Sequence, residues 1–401
     1  MRPQGHAILS YRVRLYDRHF AWMKATKELY CKVTEHFLKV LWQKPELLEL
    51  SDFLLLRSLE EMCIGTKEMK AAGTSPAYPL EGFPKIPLYF RRSAINAAID
   101  LARKKAVHPE QNMVLYKGMY RNFTDKTIEL KLFTGDGWVW GTYPFTGREF
   151  PPEATKLSPM LIIKKKDAWL DVPLSFAVDD IRTVKERMQT EKRICAVSFP
   201  DYDVLAVAVI LSEDGTVEQQ RFFRGGKEKE HRRTKLKERL AISEKSRASS
   251  ERKAGSENAG LYEAFKNLNH YYAHLISREI LDFCLEQNIK VIAVPNYETT
   301  IDFRDKQYLK TDSYRWLGRS IISNLKYKAF QQGIVVTSVR PYHIADCCSE
   351  CGEKIRRYNE GHAAGKNYYG GKLFVCPNGH KGNAAKNAAV NVGRNFLAYY
   401  R

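Results

Sequence analysis

Cys348-Ser-Glu-Cys351-Gly352, Cys376-Pro-Asn-Gly379-His380 and Asn387-Ala-Ala-Val-Asn391-Val392 crowd into 45 residues near the end of the chain. The first two segments place three thiols and an imidazole in two short pairs. Zinc favours that donor chemistry, and two such pairs on facing turns close a tetrahedral structural site. Cys348, Cys351, Cys376 and His380 are therefore the expected zinc ligands. Cys347, His343 and His362 are reserve ligands from the same stretch. The alternative is a loop that folds without metal and keeps free thiols.

Outward from this knuckle the cysteine usage is consistent with a reducing compartment. Four of the eight cysteines lie between 347 and 376; Cys31, Cys63, Cys195 and Cys284 are scattered in apolar surroundings and read as reduced core residues. That is metal-site usage, not a disulfide framework. No apolar run approaches the roughly 18 residues of a membrane span, and the N-terminus is too polar for a signal peptide. The reading is a cytoplasmic protein, on the nucleoid.

The chain has 401 residues, with 65 Lys and Arg against 46 Asp and Glu, a net charge of +19. Such a balance implies a polyanionic partner, usually nucleic acid. The densest basic run lies at 224–257. Arg224, Arg232, Arg233, Lys235, Lys237 and Arg239 are its candidate phosphate contacts. Lys164, Lys165 and Lys166 at a strand end, Arg315 and Arg319, and Arg356 and Arg357 beside the knuckle join them. Any one such run is more often a solvated face; the sum favours binding.

Residues 7–16 alternate and predict one strand. Residues 19–70 carry apolar positions at helical spacing, enough for two or three helices, and a further helix is expected at 89–106. Short strand-like runs separated by Gly, Asp and Pro fill 113–190, a small antiparallel β-domain. From 192 onward, ICAVSF and VLAVAVILS are unbroken apolar strands, and EDGT is a hairpin turn. Helices are predicted at 228–246, 260–287 and 312–332, with strands at 290–297 and in GIVVTSVRP. This order fits an α/β domain of ribonuclease-H-like type. No phosphate-cradling glycine loop and no Ser/His/Asp or Cys/His nucleophile is found.

A zinc knuckle running into an Asn-Ala-Ala-x-Asn helix resembles the end of TnpB, the transposon-encoded RNA-guided nuclease, and of the compact type V CRISPR effectors. Pro87-Leu-Tyr-Phe-Arg-Arg-Ser-Ala-Ile-Asn-Ala-Ala resembles part of that family's helical region. The resemblance implies an α/β multidomain chain. A wedge β-barrel would comprise 1–16 and 107–190, and an inserted helical recognition domain 17–106. A RuvC-like domain would comprise 191–342 and 383–401, and a zinc-ribbon target-nucleic-acid-binding domain 343–382.

The family's nuclease needs three carboxylates to hold two divalent ions. The resemblance puts the first in an Ile/Val-Asp-x-Gly turn, where this chain has Cys195-Ala-Val-Ser198-Phe-Pro200. The second ends a Val-Ile-Val-x-Glu strand, where it has Val291-Ile-Ala-Val-Pro295. The third precedes the first Asn of the terminal helix by two residues, at Ala385; an overlapping match from Asn383 puts Lys381 there. Ser198, Pro295 and Ala385 are poor ligands for a hard cation such as magnesium. In the family's knuckle the second pair is Cys-x-x-Cys-Gly; here Gly379 takes the cysteine's place and His380 substitutes one residue later.

The resemblance therefore implies a guide RNA and target double-stranded DNA with a short flanking motif as partners. Structural zinc is expected and no magnesium at the nuclease site. The complex would form an RNA–DNA hybrid without cutting it, and would block transcription or recruit a partner protein. Two rivals remain: an active endonuclease with displaced acids, Asp201 or Asp203 with Glu298, and a transposon remnant that binds RNA without a guide.

Overall fold

The computed structural model describes residues 5–16, 19–105, 112–164, 166–200, 202–248, 258–297, 317–361 and 371–400. They fall into two compact units, Ile8–Phe176 and a second formed by Met1–Ala7 with Ala177–Arg401.

In the first unit, strand β1 (Gly5–Leu15) alternates as its sequence predicts. Tyr11, Val13 and Leu15 point inward. Arg12 and Arg14 point out, onto Asp171 and Asp167 at 2.6 Å each. Helix α1 (Phe20–Gln43) buries Met23, Tyr30, Val33, Phe37 and Leu41 along one face, the spacing of an amphipathic helix. Its Thr26 hydroxyl accepts from the Phe133 amide at 2.8 Å and fixes the helix on the sheet. Helices α2 (Asp52–Ile64) and α3 (Lys67–Ala71) follow. Helix α4 (Leu88–Arg103) lies against α1 through Ala94, Ala98 and Phe90.

The remaining strands of this unit are β2 (Met113–Val114), β3 (Tyr120–Arg121), β4 (Thr127–Phe133), β5 (Trp138–Gly147), β6 (Thr155–Lys156), β7 (Met160–Lys164) and β8 (Asp167–Val178). With β1 they form one sheet in the order β2-β7-β8-β1-β5-β4-β3, with β6 on β8. Helices and strands share one continuous hydrophobic core.

The second unit opens with a short helix, α5 (Val184–Met188), that the sequence reading missed inside its strand-rich region. The signal was present: Thr183 and Glu186 form a capping box, the Thr-x-x-Glu pattern of a helix start. Five strands follow: β9 (Arg193–Ser198), β10 (Val204–Ser212), β11 (Val217–Arg224), β12 (Val291–Pro295) and β13 (Val335–Val339), in the order β11-β10-β9-β12-β13. The first three pair antiparallel, and β12 and β13 join β9 in parallel. Between them run α6 (Gly226–Ala248), α7 (Ala259–Glu286) and α8 (Gly318–Gln331). The part of the predicted 312–332 helix before 317 lies outside the described residues, as does the 249–257 segment.

The sheet is covered on both faces. Cys195, Val197, Ala208 and Ile292 pack with α7 and α8, whereas Ile194, Ala196, Val209 and Ala293 pack with the C-terminal helix α9 (Ala384–Tyr400). Burial on both faces is why β9 and β10 read as unbroken apolar runs rather than as alternation. α9 comes very close to the sheet. A Cβ at Gly393 would run into Leu211 and Ala196. The last element is a three-stranded sheet, β14 (Arg356–Tyr358), β15 (Leu373–Val375) and β16 (Lys381–Asn383). No helix among the described residues is long and apolar enough to cross a membrane.

Candidate functional site

Two turns of similar construction face each other at the knuckle. In the first, the Gly352 amide donates to the Cys348 carbonyl at 2.9 Å; in the second, the Gly379 amide donates to the Cys376 carbonyl at 3.0 Å. Gly379 has φ +83°, a left-handed conformation that glycine adopts without steric cost. The glycine standing where the family has a cysteine thus turns the chain and brings His380 back to the thiols.

The four predicted ligands meet. Their donor atoms all lie within 4.8 Å of one another. Cys351 Sγ is 3.7 Å from Cys376 Sγ, and His380 Nδ1 is 3.6 Å from Cys348 Sγ and 3.3 Å from Cys376 Sγ. A zinc ion with bonds of about 2.3 Å to sulfur and about 2.0 Å to nitrogen has tetrahedral edges of about 3.8 and 3.5 Å. The donor set fits zinc. The backbone amide of Glu353 helps most to pull the Cys351 thiol down to about 6, whereas burial pushes Cys348 up. Of the reserve ligands, His343 and Cys347 group separately with Asp346, and His362 lies outside the described residues.

The Asn-Ala-Ala-Val-Asn motif ties this knuckle to the α/β unit. Asn387, buried, accepts from the Ser349 amide and donates to the Cys347 carbonyl, both at 2.7 Å. One turn later Asn391 donates to the carbonyls of Ile344 at 3.0 Å and Cys347 at 2.9 Å. The small residues between them let α9 lie close. The sequence reading quoted this motif without finding what the asparagines do; their i, i+4 spacing, one helical face, was the available signal.

Beside the knuckle the three expected acid positions also come together. The Ser198 hydroxyl donates to the Ala385 carbonyl at 2.7 Å. Cys195 stands opposite Ile292 and Ala196 opposite Ala293, a register that continued two residues sets Pro295 beside Ser198. All three line one cavity of about 380 Å³, with Phe199, Tyr202, Tyr297, Ile344 and Arg357. None of the described residues lining it is an aspartate or glutamate. Asp203 is engaged elsewhere, 2.6 Å from Lys372 Nζ and 3.7 Å from Lys227 Nζ. The Lys372 contact, above all, holds its carboxyl below the usual range. Asp201 and Glu298 lie outside the described residues.

The basic candidates divide. Arg224, Arg232, Lys235, Lys237 and Arg239 are exposed on β11 and α6, as are Lys164, Lys166, Arg319 and Arg356. Arg233 is buried, and its guanidinium rests on Glu230 at 2.7 Å. The phase of α6 turns it inward with Lys229, four residues earlier. Arg357 is half-buried. Lys165 and Arg315 lie outside the described residues.

A family model described as "Cas12f1-like, TNB domain" matches residues 319–392, the segment holding the knuckle and the asparagine clamp. That segment of the chain is similar to a Cas12f1-like TNB domain. A second model, the Aq_aa04 family, matches residues 7–104. Among solved structures, a Cas12f1–sgRNA–target DNA complex superposes with a TM-score of 0.57 at 13% identity, covering 93% of this chain and 81% of that one. A C2c1–sgRNA–non-target DNA complex gives 0.49 at 10% identity, covering 88% and 63%. The Cas12f1-like fold is thus shared at low identity. The sequence matches no curated protein. The match to the TNB model agrees with the resemblance read from the knuckle.

Proposed function

We propose that this chain is an RNA-guided DNA-binding protein that pairs a guide RNA with target double-stranded DNA and does not cut it. The observation that carries the proposal is the cavity of Ser198, Pro295 and Ala385. The three strand and helix ends converge as a RuvC-like site requires, yet the side chains they deliver are a hydroxyl, a pyrrolidine and a methyl group. A hard divalent ion needs several oxygen ligands at about 2 Å, and two-metal hydrolysis needs carboxylates to hold both ions.

Under this proposal the five-stranded α/β region with α9 (191–342 and 383–401) is the RuvC-like domain. The 343–382 segment is the zinc ribbon, 1–16 with 107–190 the wedge, and 17–106 the recognition domain. Base pairing reads the sequence, while the protein reads a flanking motif and the heteroduplex backbone. The exposed cations of α6 and β11 suit that backbone. The bound complex acts as a roadblock to transcription or as a platform for a partner protein. The pairing of Asp203 with two lysines counts against the displaced-acid endonuclease.

The test is to express the chain with its flanking locus, sequence the RNA that co-purifies, and challenge the complex with guide-matched duplex in magnesium. One scaffold with a variable guide, and tight binding without cleavage, is the expected result. Magnesium-dependent cleavage would overturn the proposal, and heterogeneous RNA would support the unguided remnant instead.

A further inference from the structure

Cys347 and Cys348 are neighbours with different partners. Cys347 bridges to Lys354 across a short extended stretch, and extended backbone turns successive side chains to opposite sides. Cys348 is buried and belongs to the knuckle. The half-buried Cys347 belongs instead with His343 and Asp346, and the donor atoms of these three lie within 4.8 Å of one another. His343 Nδ1 is 3.3 and 3.2 Å from the two carboxylate oxygens of Asp346. Zinc bonds of about 2.0 Å to nitrogen and to oxygen give a tetrahedral edge of about 3.3 Å.

The turn that carries these donors is held from behind. The carbonyls of Tyr342, Ile344, Ala345 and Asp346 accept from Asn395 at 3.2 Å, Asn391 at 3.0 Å, Arg357 at 3.0 Å and the Ile355 amide at 2.9 Å. The Cys347 carbonyl accepts from both Asn387 and Asn391. With its carbonyls engaged on α9 and on the 355–357 segment, the turn leaves the His343 and Asp346 side chains 44% and 57% exposed. His343 has φ +55°, a left-handed conformation that few residues other than glycine adopt. Backbone held in such a region by its surroundings is common where a chain clamps a ligand. Donors fixed by a rigid backbone are what a metal site requires.

We propose that His343, Asp346 and Cys347 form a second metal site, separate from the knuckle, that takes an exchangeable divalent ion of the zinc class. One imidazole, one carboxylate and one thiolate disfavour magnesium and calcium and suit zinc and its borderline neighbours. The carboxylate and the thiolate together neutralise the ion's charge. Three protein donors leave a fourth position open to solvent, unlike the closed four-ligand arrangement of a structural site. The ion here is therefore held less firmly than the zinc of the knuckle and leaves on dialysis. The proposal does not depend on the nucleic-acid reading, and its test needs no nucleic acid.

The test titrates cobalt(II), a spectroscopic stand-in for zinc, into the full chain after the knuckle has been filled with zinc and loosely held metal dialysed away. One further equivalent should bind, with a thiolate-to-cobalt charge-transfer band. Added zinc should displace it, and excess magnesium should not. Cys347→Ser should abolish the band while the knuckle keeps its zinc. His343→Asn retains a residue tolerant of the left-handed backbone and removes the imidazole; Asp346→Asn removes the charge. Each should weaken cobalt binding about 100-fold, the upper end of what loss of even an outer hydrogen-bond partner costs a metal site.

Four results would overturn the proposal. The wild type could take up no further equivalent. The band could survive in Cys347→Ser, which would put the cobalt in the knuckle. His343→Asn and Asp346→Asn could bind cobalt as the wild type does, leaving a hydrogen-bonded pair beside a free thiol. All three variants could lose the knuckle zinc, which would make the cluster a support of the knuckle and not a site of its own.

Discussion

Removing the two asparagines of α9 should destabilise the knuckle by more than the sum of the single losses. Asn387→Ala takes the side-chain acceptor of the Ser349 amide, but leaves the Cys347 carbonyl its bond from Asn391. Asn391→Ala strips the Ile344 carbonyl and leaves Cys347 to Asn387. An orphaned buried backbone group costs about 1–3 kcal/mol, so each single change should cost about 2 kcal/mol. The double variant also orphans Cys347, adding a coupling of about 1 kcal/mol, within the span measured for groups that share a partner. Hydrogen exchange of the 343–349 backbone, with zinc in excess, reads this locally and does not need the whole chain to unfold in one step. Ser349 should exchange about 30-fold faster in Asn387→Ala, the rate equivalent of about 2 kcal/mol. Asn387→Asp, which keeps the acceptor, should preserve most of its protection. Unchanged Ser349 exchange in Asn387→Ala, or strictly additive effects in the double variant, would refute the reasoning.

Elemental analysis should find one zinc per chain in the wild type and none at this site in Cys376→Ser, with chelation exposing the knuckle thiols to alkylation. Arg187→Met should cost about 3–5 kcal/mol in denaturant unfolding, because the buried guanidinium donates to the carbonyls of Gly333 at 2.8 Å, Asp180 at 2.9 Å and Arg182 at 3.0 Å. Arg182, above all, lowers the Asp180 carboxyl to about 2 from 3.8. A depressed folded pKa means stabilisation that is present above the unfolded value and lost as pH falls through the folded one. Unfolding midpoints should therefore drop more between pH 4 and 2 in the wild type than in Asp180→Asn.

What the sequence disclosed follows from how each residue is satisfied. β9 and β10 were legible because both faces are buried, so their runs are apolar throughout. The knuckle was legible because ligand identity and spacing are local. Arg187 was not: in Val184-Lys-Glu-Arg-Met188 it looks like one more solvated charge, and the carbonyls that hold it include Gly333, far along the chain. The burial of Arg233 was hidden for a different reason. Its neighbours are also basic, and only the helical phase shared with Lys229 distinguishes the inward side. The convergence of Ser198, Pro295 and Ala385 came from resemblance, while the Arg357 and Tyr202 groups beside them belong to separate segments that only the fold brings together.

The junction between β16 and α9 has a mechanical consequence. Asn383 is the last residue of the strand, and its side chain accepts from the amides of Ala385 at 2.9 Å and Lys386 at 3.0 Å. Ala385 stands five residues after His380, with no linker in which a bend could be absorbed. Knuckle and helix thus form one stiff lever, pivoting where α9 lies flat on the sheet at Gly393. The Ala385 carbonyl at the head of that unit accepts from the Ser198 hydroxyl, so the knuckle end of α9 is fastened to the wall of the cavity beside it.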